Sequence, residues 1–246
     1  MFATLIRHGA RVPLAVMLYS TAVFASCAAG DSSTEVDARR DARDAAPADT
    51  VTVDAPTVDA TPCATAAFVL DGILDTNANV IAGGGTTLRL AVAVSADGRL
   101  YIATDDAGEG GDHFILISAT PPTAAARPAP FAKAGTVAAG AGDLITLADE
   151  NDNGFTGWFR IEPTGGDTAL TAAAYNSATA GNGGVVEGTV DLRAAFGTIP
   201  TTLYLAAVPY ASADAGALVS AAQTPIGNAD GNVNVDEYVT FNVACR

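Results

Sequence analysis

Apolar residues come in short runs separated by clusters of Gly, Asp, Asn and Pro. The clearest runs are 88–94 (Leu-Arg-Leu-Ala-Val-Ala-Val), 100–103 (Leu-Tyr-Ile-Ala), 114–117 (Phe-Ile-Leu-Ile) and 203–208 (Leu-Tyr-Leu-Ala-Ala-Val). Runs of this length, rich in branched and aromatic residues and bounded by turn formers, predict strands. Asp97-Gly98, between the first two, predicts a tight hairpin. Leu192 to Phe196 alone suggests a short helical turn. About ten strands with frequent turns, and no alternation with long helices, predict an all-β fold: a single β-sandwich over residues 63–246.

The N-terminal pattern is different. Met1 to Arg11 carries Arg7 and Arg11 and no acid, and an apolar run follows from Val12 to Phe24. That run is shorter than the roughly 20 residues a membrane-spanning helix needs, and it has the shape of a cleavable export signal. Behind it stands Phe24-Ala25-Ser26-Cys27, which resembles the lipobox of bacterial lipoproteins. The resemblance implies that residues 1–26 are a signal peptide and that Cys27 is lipidated. The protein would then be exported and bound to the cell envelope through the lipid anchor alone. Ala28, in place of an Asp after the cysteine, favours the outer membrane. An ordinary secretory signal cut near Ala25 is the alternative.

Residues 27–62 change composition to Asp, Ala, Thr, Val and Pro. They contain degenerate repeats, Asp37-Ala38-Arg39 with Asp41-Ala42-Arg43, and no aromatic residue. Such a stretch has little with which to offset the entropy of ordering and predicts a disordered tether. A flexible chain of about 35 residues spans roughly 30 to 35 Å.

The chain has three cysteines, and an odd number in an exported protein asks for an explanation. With Cys27 given to lipid, Cys63 and Cys245 remain as a pair at the two ends of the folded part. An oxidising compartment permits a disulfide between them, which on the chain-entropy estimate stabilises by up to about 5 kcal/mol. Two buried free thiols are the competing reading.

Charge narrows the partners. In residues 63–246, 19 Asp and Glu stand against 7 Lys and Arg, a net of −12. That field repels phosphate backbones and anionic lipid heads, so nucleic acid is not an expected partner. The acidic segments raise calcium as a candidate cofactor. Asn228-x-Asp230-Gly231-Asn232-Val233-Asn234-x-x-Glu237 follows the EF-hand loop from its third position onward, although Ile226 stands at the first. Asp149-x-Asn151-x-Asn153-Gly154 is a weaker half-pattern, with Arg160 where an acid is wanted. Asp105, Asp106, Glu109, Asp112 and His113 form a third cluster, in which the adjacent Asp112 and His113 should point to opposite faces of a strand. Trp158 and Tyr101 are the candidate ligand-binding residues, as a stacking platform for sugar; core packing competes with that role. Ser or Cys nucleophile chemistry finds little support, because His113 is the sole histidine after the signal and no nucleophile motif accompanies it; an enzyme using paired carboxylates is a third function, for which nothing in the sequence selects a pair.

Several motifs carry a family resemblance. Asp71-Gly72-Ile73-Leu74-Asp75, Gly98-Arg99-Leu100-Tyr101-Ile102-Ala103, Asp112-His113-Phe114-Ile115-Leu116 and Val186-Glu187-Gly188-Thr189-Val190 resemble segments of family 9 carbohydrate-binding modules and the related DOMON-like sandwiches. Pro130-Phe131-Ala132-Lys133-Ala134-Gly135 and Gly157-Trp158 are similar to a pattern in exported bacterial proteins of this shape. The resemblance implies a non-enzymatic binding or interaction domain, with a polysaccharide or another envelope component as partner. Sugar-binding members stack ligand between aromatic rings, typically two Trp, whereas Trp158 stands alone here. Haem-binding members use Met and His, and both Met residues lie in the signal. A structural envelope lipoprotein without a small ligand is the alternative function.

Overall fold

The computed structural model describes residues 57–58, 63–65, 67–83, 88–107, 111–151, 154–179, 184–219 and 222–244. The expected signal, Cys27, most of the tether and Cys245 lie outside them. Cys63 is half-buried against the main core and is held in a disulfide.

Among the described residues the chain forms fourteen strands and one short α-helix. They are β1 (Thr57–Val58), β2 (Asn79–Ala82), β3 (Leu90–Val94), β4 (Arg99–Ala107), β5 (Gly111–Ser118), β6 (Thr123–Pro128) and β7 (Thr136–Ala139). After these come β8 (Leu144–Glu150), β9 (Phe155–Ile161), β10 (Asp167–Ala169), β11 (Tyr175–Thr179), β12 (Gly184–Asp191), α1 (Leu192–Phe196), β13 (Thr202–Ala211) and β14 (Val239–Asn242). A seven-stranded sheet runs β1-β14-β13-β5-β8-β9-β10, and a five-stranded sheet runs β11-β12-β4-β3-β2. The hairpin β6-β7 stands apart from both. The fold is an all-β sandwich, as the runs predict.

The four strongest apolar runs become β3, β4, β5 and β13. Asp97-Gly98 makes the β3–β4 turn, where Gly98 adopts φ +84° and its N–H donates to Ser95 O at 2.9 Å. A Cβ there would also meet the Ile199 side chain at 2.4 Å. At α1, the Asp191 carboxylate caps the N–H groups of Arg193 and Ala194, and Gly197 ends the helix in the left-handed region. The strand count exceeds ten because short edge strands carry too few residues to leave a periodicity. One of them, β1, lies inside the stretch read as tether, and it pairs in parallel with β14.

Alternation along the strands sorts side chains into layers. Ile115, Ile117, Ile145, Leu147, Leu203 and Leu205 face Leu90, Val92, Leu100, Ile102, Val186 and Val190 between the sheets, and all are buried. Each such side chain contributes about 1.5 to 3 kcal/mol relative to exposure. The opposite faces are covered too, so the runs read as continuous rather than alternating. Phe114, Leu116, Ala206 and Val208 meet the β6-β7 hairpin and the loop leading to β14 in a second core. Ala93, Tyr101 and Ala103 meet Phe68, Leu70 and Leu74 in a third.

Candidate functional site

The segment 64–78 crosses the outer face of the five-stranded sheet. Ala64 forms a parallel bridge with Ser95, and its N–H donates to Val94 O at 2.8 Å. Farther along, the buried carboxylate of Glu187 on β12 fastens the segment. Its Oε1 accepts the N–H groups of Asp71 at 2.5 Å and Gly72 at 2.6 Å, and its Oε2 accepts the Tyr101 hydroxyl at 2.7 Å. The same hydroxyl accepts the Asp75 N–H at 3.0 Å. Burial is the main reason the Tyr101 phenol is pushed well above its usual pKa, and the neighbouring Glu187 adds to it.

Beside this clamp lies a groove of about 720 Å³. Phe68 and Leu70 supply its apolar wall, and Asp97, Arg99, Asn176 and Thr189 supply polar groups. Phe68 is braced from behind by Tyr101, with ring centroids 5.1 Å apart. Arg99 reaches the Ala174 carbonyl at 3.4 Å. The Ser95 hydroxyl donates to the Asp97 carboxylate, and this hydrogen bond is the main reason Asp97 sits below its usual pKa. A volume of this order, with one ring and a few oriented polar groups, suits a small ligand or a short stretch of polymer.

The expected sugar platform of Trp158 and Tyr101 is not present. Tyr101 is completely buried, and Trp158 is 3% exposed. They also sit in different layers, because Tyr101 points out of the five-stranded sheet whereas Trp158, on β9, points between the sheets. The Trp158 indole donates to Asn176 O at 2.9 Å and packs on Tyr175. Gly188 makes room for it: a Cβ there would meet the indole at 2.8 Å.

The loop expected to take calcium closes on its own hydrogen bonds. The two Glu237 oxygens accept the N–H groups of Asn228 and Asn234, each at 2.7 Å. Asp230 Oδ2 accepts both Asn side chains, from Asn234 at 2.7 Å and Asn228 at 3.2 Å, while Oδ1 accepts the Asn232 N–H. These bonds, that from Asn234 foremost, hold the Asp230 carboxyl below its usual pKa. The Asn232 side chain turns away to Thr136 on β7. A cation would have to displace these donors, and among the described residues no three His, Cys, Asp or Glu side chains gather as metal ligands. In the second half-pattern, Asp149 accepts the Thr156 hydroxyl and Arg160 pairs with Asp143. In the third cluster Asp105 pairs with Arg89. Asp112 and His113 do point to opposite sides of β5, and Asp112 turns toward Lys133 in the second core.

Comparisons with protein-family models, curated proteins and solved structures find no match for this chain.

Phe68, Arg99 and Asn176 were not singled out from sequence, since they lie far apart along the chain and meet only through the crossing segment. Glu187 left a usable signal. It is a lone acid in the apolar run Val185-Val186-Glu187-Gly188-Thr189-Val190, and a buried charge requires partners.

Proposed function

We propose that this chain is a lipid-anchored, non-enzymatic binding domain of the cell envelope, and that it takes a polysaccharide or similar polyhydroxylated polymer in the groove between segment 64–78 and the five-stranded sheet. The carrying observation is the groove itself: Phe68, half-buried and packed on Tyr101, beside the polar side chains of Arg99, Asp97 and Asn176. A ring and hydrogen-bonding groups on one wall are what a sugar, with an apolar face and polar edges, requires. The motifs resembling carbohydrate modules support the reading, because the Asp71–Asp75 and Glu187 motifs build the clamp along the groove. The most strongly shifted titratable groups, Tyr101, Tyr210 and Tyr238, are raised by burial in the cores rather than poised in the groove. Export and anchoring rest on the signal pattern and Cys27, and the Cys63–Cys245 disulfide completes the scheme.

A polysaccharide array probed with the purified protein tests this. Binding is expected; Arg99→Ala should weaken it at least tenfold with little change in melting temperature, and Phe68→Ala should weaken it as much while also lowering the melting temperature, because Phe68 packs on Tyr101. Binding that survives both substitutions would place the ligand elsewhere, and silence across the array would favour a structural envelope lipoprotein.

A further inference from the structure

The chain contains a single lysine, Lys133, and the fold buries it to 5% exposure. It emerges from a turn in which Phe131 and Ala132 both adopt φ +53°, a left-handed conformation unusual for residues with a side chain. Phe131 is locked there by Phe114, Phe155 and Phe159, with the Asp167 carboxylate accepting its N–H at 2.7 Å. The turn delivers the Lys133 amine onto Asp112, which is fully buried on β5, and within 3.8 Å of Glu150 Oε1 on β8.

A buried ion pair is weak evidence of stabilisation, because desolvating both charges offsets their attraction. The local geometry is also unlike an ordinary ion pair. Asp112 Oδ2 touches Nζ outside hydrogen-bonding geometry. The amine has two carbonyl partners, Ser212 O and Ala213 O, each at 3.1 Å. With its two N–H groups directed there, a neutral amine keeps its lone pair for Asp112. Asp112 Oδ1 accepts the Asn151 N–H at 2.9 Å, a donor placed to polarise the carboxyl group and to hold charge on that oxygen.

We propose that Lys133 and Asp112 are joined by an intramolecular isopeptide bond that the folded chain forms by itself, with Glu150 as proton relay. Transfer of one proton from Nζ to Oδ2 converts the ion pair to a neutral amine and a neutral carboxyl group, with the Glu150 carboxylate beside them as the base. The nitrogen lone pair attacks Cγ, and the Nζ–Cγ bond forms. Glu150 takes a second proton from nitrogen and passes it to Oδ2, the Cγ–Oδ2 bond breaks, and one water leaves. The reaction is a condensation and needs no oxidant, reductant or cofactor. Holding the two groups in contact supplies the effective concentration that free lysine and aspartate lack. The bond would tie the middle of the seven-stranded sheet to the turn that carries the β6-β7 hairpin, and would fasten the outer layer of a domain exposed outside the cell.

Mass spectrometry of the full chain, reduced and denatured, decides the matter. The expected mass is one water below that calculated for the same chain without the bond, with a branched peptide containing both Lys133 and Asp112 after proteolysis. An amine-reactive label applied under denaturing conditions should leave Lys133 unmodified. A full mass with separate linear peptides and a labelled Lys133 would overturn the bond. Glu150→Gln should fold, as judged by circular dichroism, yet recover the lost water and the labelled lysine; a cross-link that persists in this variant would overturn the relay. Should Glu150→Gln fail to fold, slow loss of water during refolding of Glu150→Asp gives the same reading, and loss at the wild-type rate would count against it.

Discussion

Both outer faces of the sandwich are covered by chain outside the two main sheets, and each cover is fastened by a buried carboxylate, but the fastenings differ. On the five-stranded sheet, Glu187 is satisfied by two backbone N–H groups and a tyrosine hydroxyl. On the seven-stranded sheet, Asp112 faces an amine carried on a strained turn. In the first case dipoles neutralise the charge, and they belong to the segment being held. In the second, a single side chain, Lys133, brings the opposite charge. The surroundings follow the same division: the Glu187 clamp lies beside an open groove, whereas Lys133, Asp112 and Glu150 are all buried, with the amine held against the Ser212 and Ala213 carbonyls. Ligand binding suits the first face and fastening suits the second.

The contrast can be broken by substitution. The largest effect is expected for Asp112→Ala, which forbids the proposed bond, leaves the Lys133 amine buried with Glu150 as its remaining carboxylate, and should cost about 3 to 5 kcal/mol in denaturant unfolding. A loss below about 1 kcal/mol would mean that the lysine escapes to water and that the turn is not held by this contact. Glu187→Ala should cost less, about 2 to 3 kcal/mol, because the donors it abandons are neutral dipoles rather than a buried charge. Its signature is local: faster amide exchange in residues 67–78 with the second core unchanged. Glu187→Gln keeps two acceptor positions on one oxygen and should fall between the variant and the wild type. Exchange that accelerates equally throughout would show that the two covers are not independent.

The smallest effect concerns pH. Burial raises the Asp167 carboxyl above its usual pKa, opposed by the Phe131 N–H and reinforced by Glu162. The folded protein therefore holds this proton at a pH where the unfolded chain has released it. The resulting stability is fully present below the unfolded value, near 3.8, and is lost as pH rises through the higher folded value. Asp167→Asn should remove that dependence while still accepting the Phe131 N–H, which flattens the plot of melting temperature against pH just above 3.8. An unchanged slope would assign the dependence to another carboxyl group.

Much of the fold was legible because it is written in local terms. The runs at 88–94, 100–103, 114–117 and 203–208 mark strands that are buried on both faces, and Asp97-Gly98 and Asp191 with Gly197 mark turns and caps whose chemistry is contained in neighbouring residues. Composition alone gave the acidic field, and a simple count isolates Lys133. The face a side chain joins was less accessible. Tyr101 and Trp158 are large amphipathic residues that suit a sugar platform or a core equally well, and the decision came from Phe68 and Gly188, which are remote in sequence. The Asn228–Glu237 loop has the residue types of a calcium site, yet in the folded protein its carboxylates accept N–H groups that the loop's own path brings to them.

The sequence by itself determined the strand positions, the sharp turns and the acidic charge, since each depends on residues only a few positions apart. The tertiary structure decided that 64–78 crosses the outer face, that Glu187 and Tyr101 fasten it, and that Lys133, Asp112 and Glu150 meet. Those groups come from separate strands and a left-handed turn. Their contact follows from how the layers close on one another, which no local pattern records.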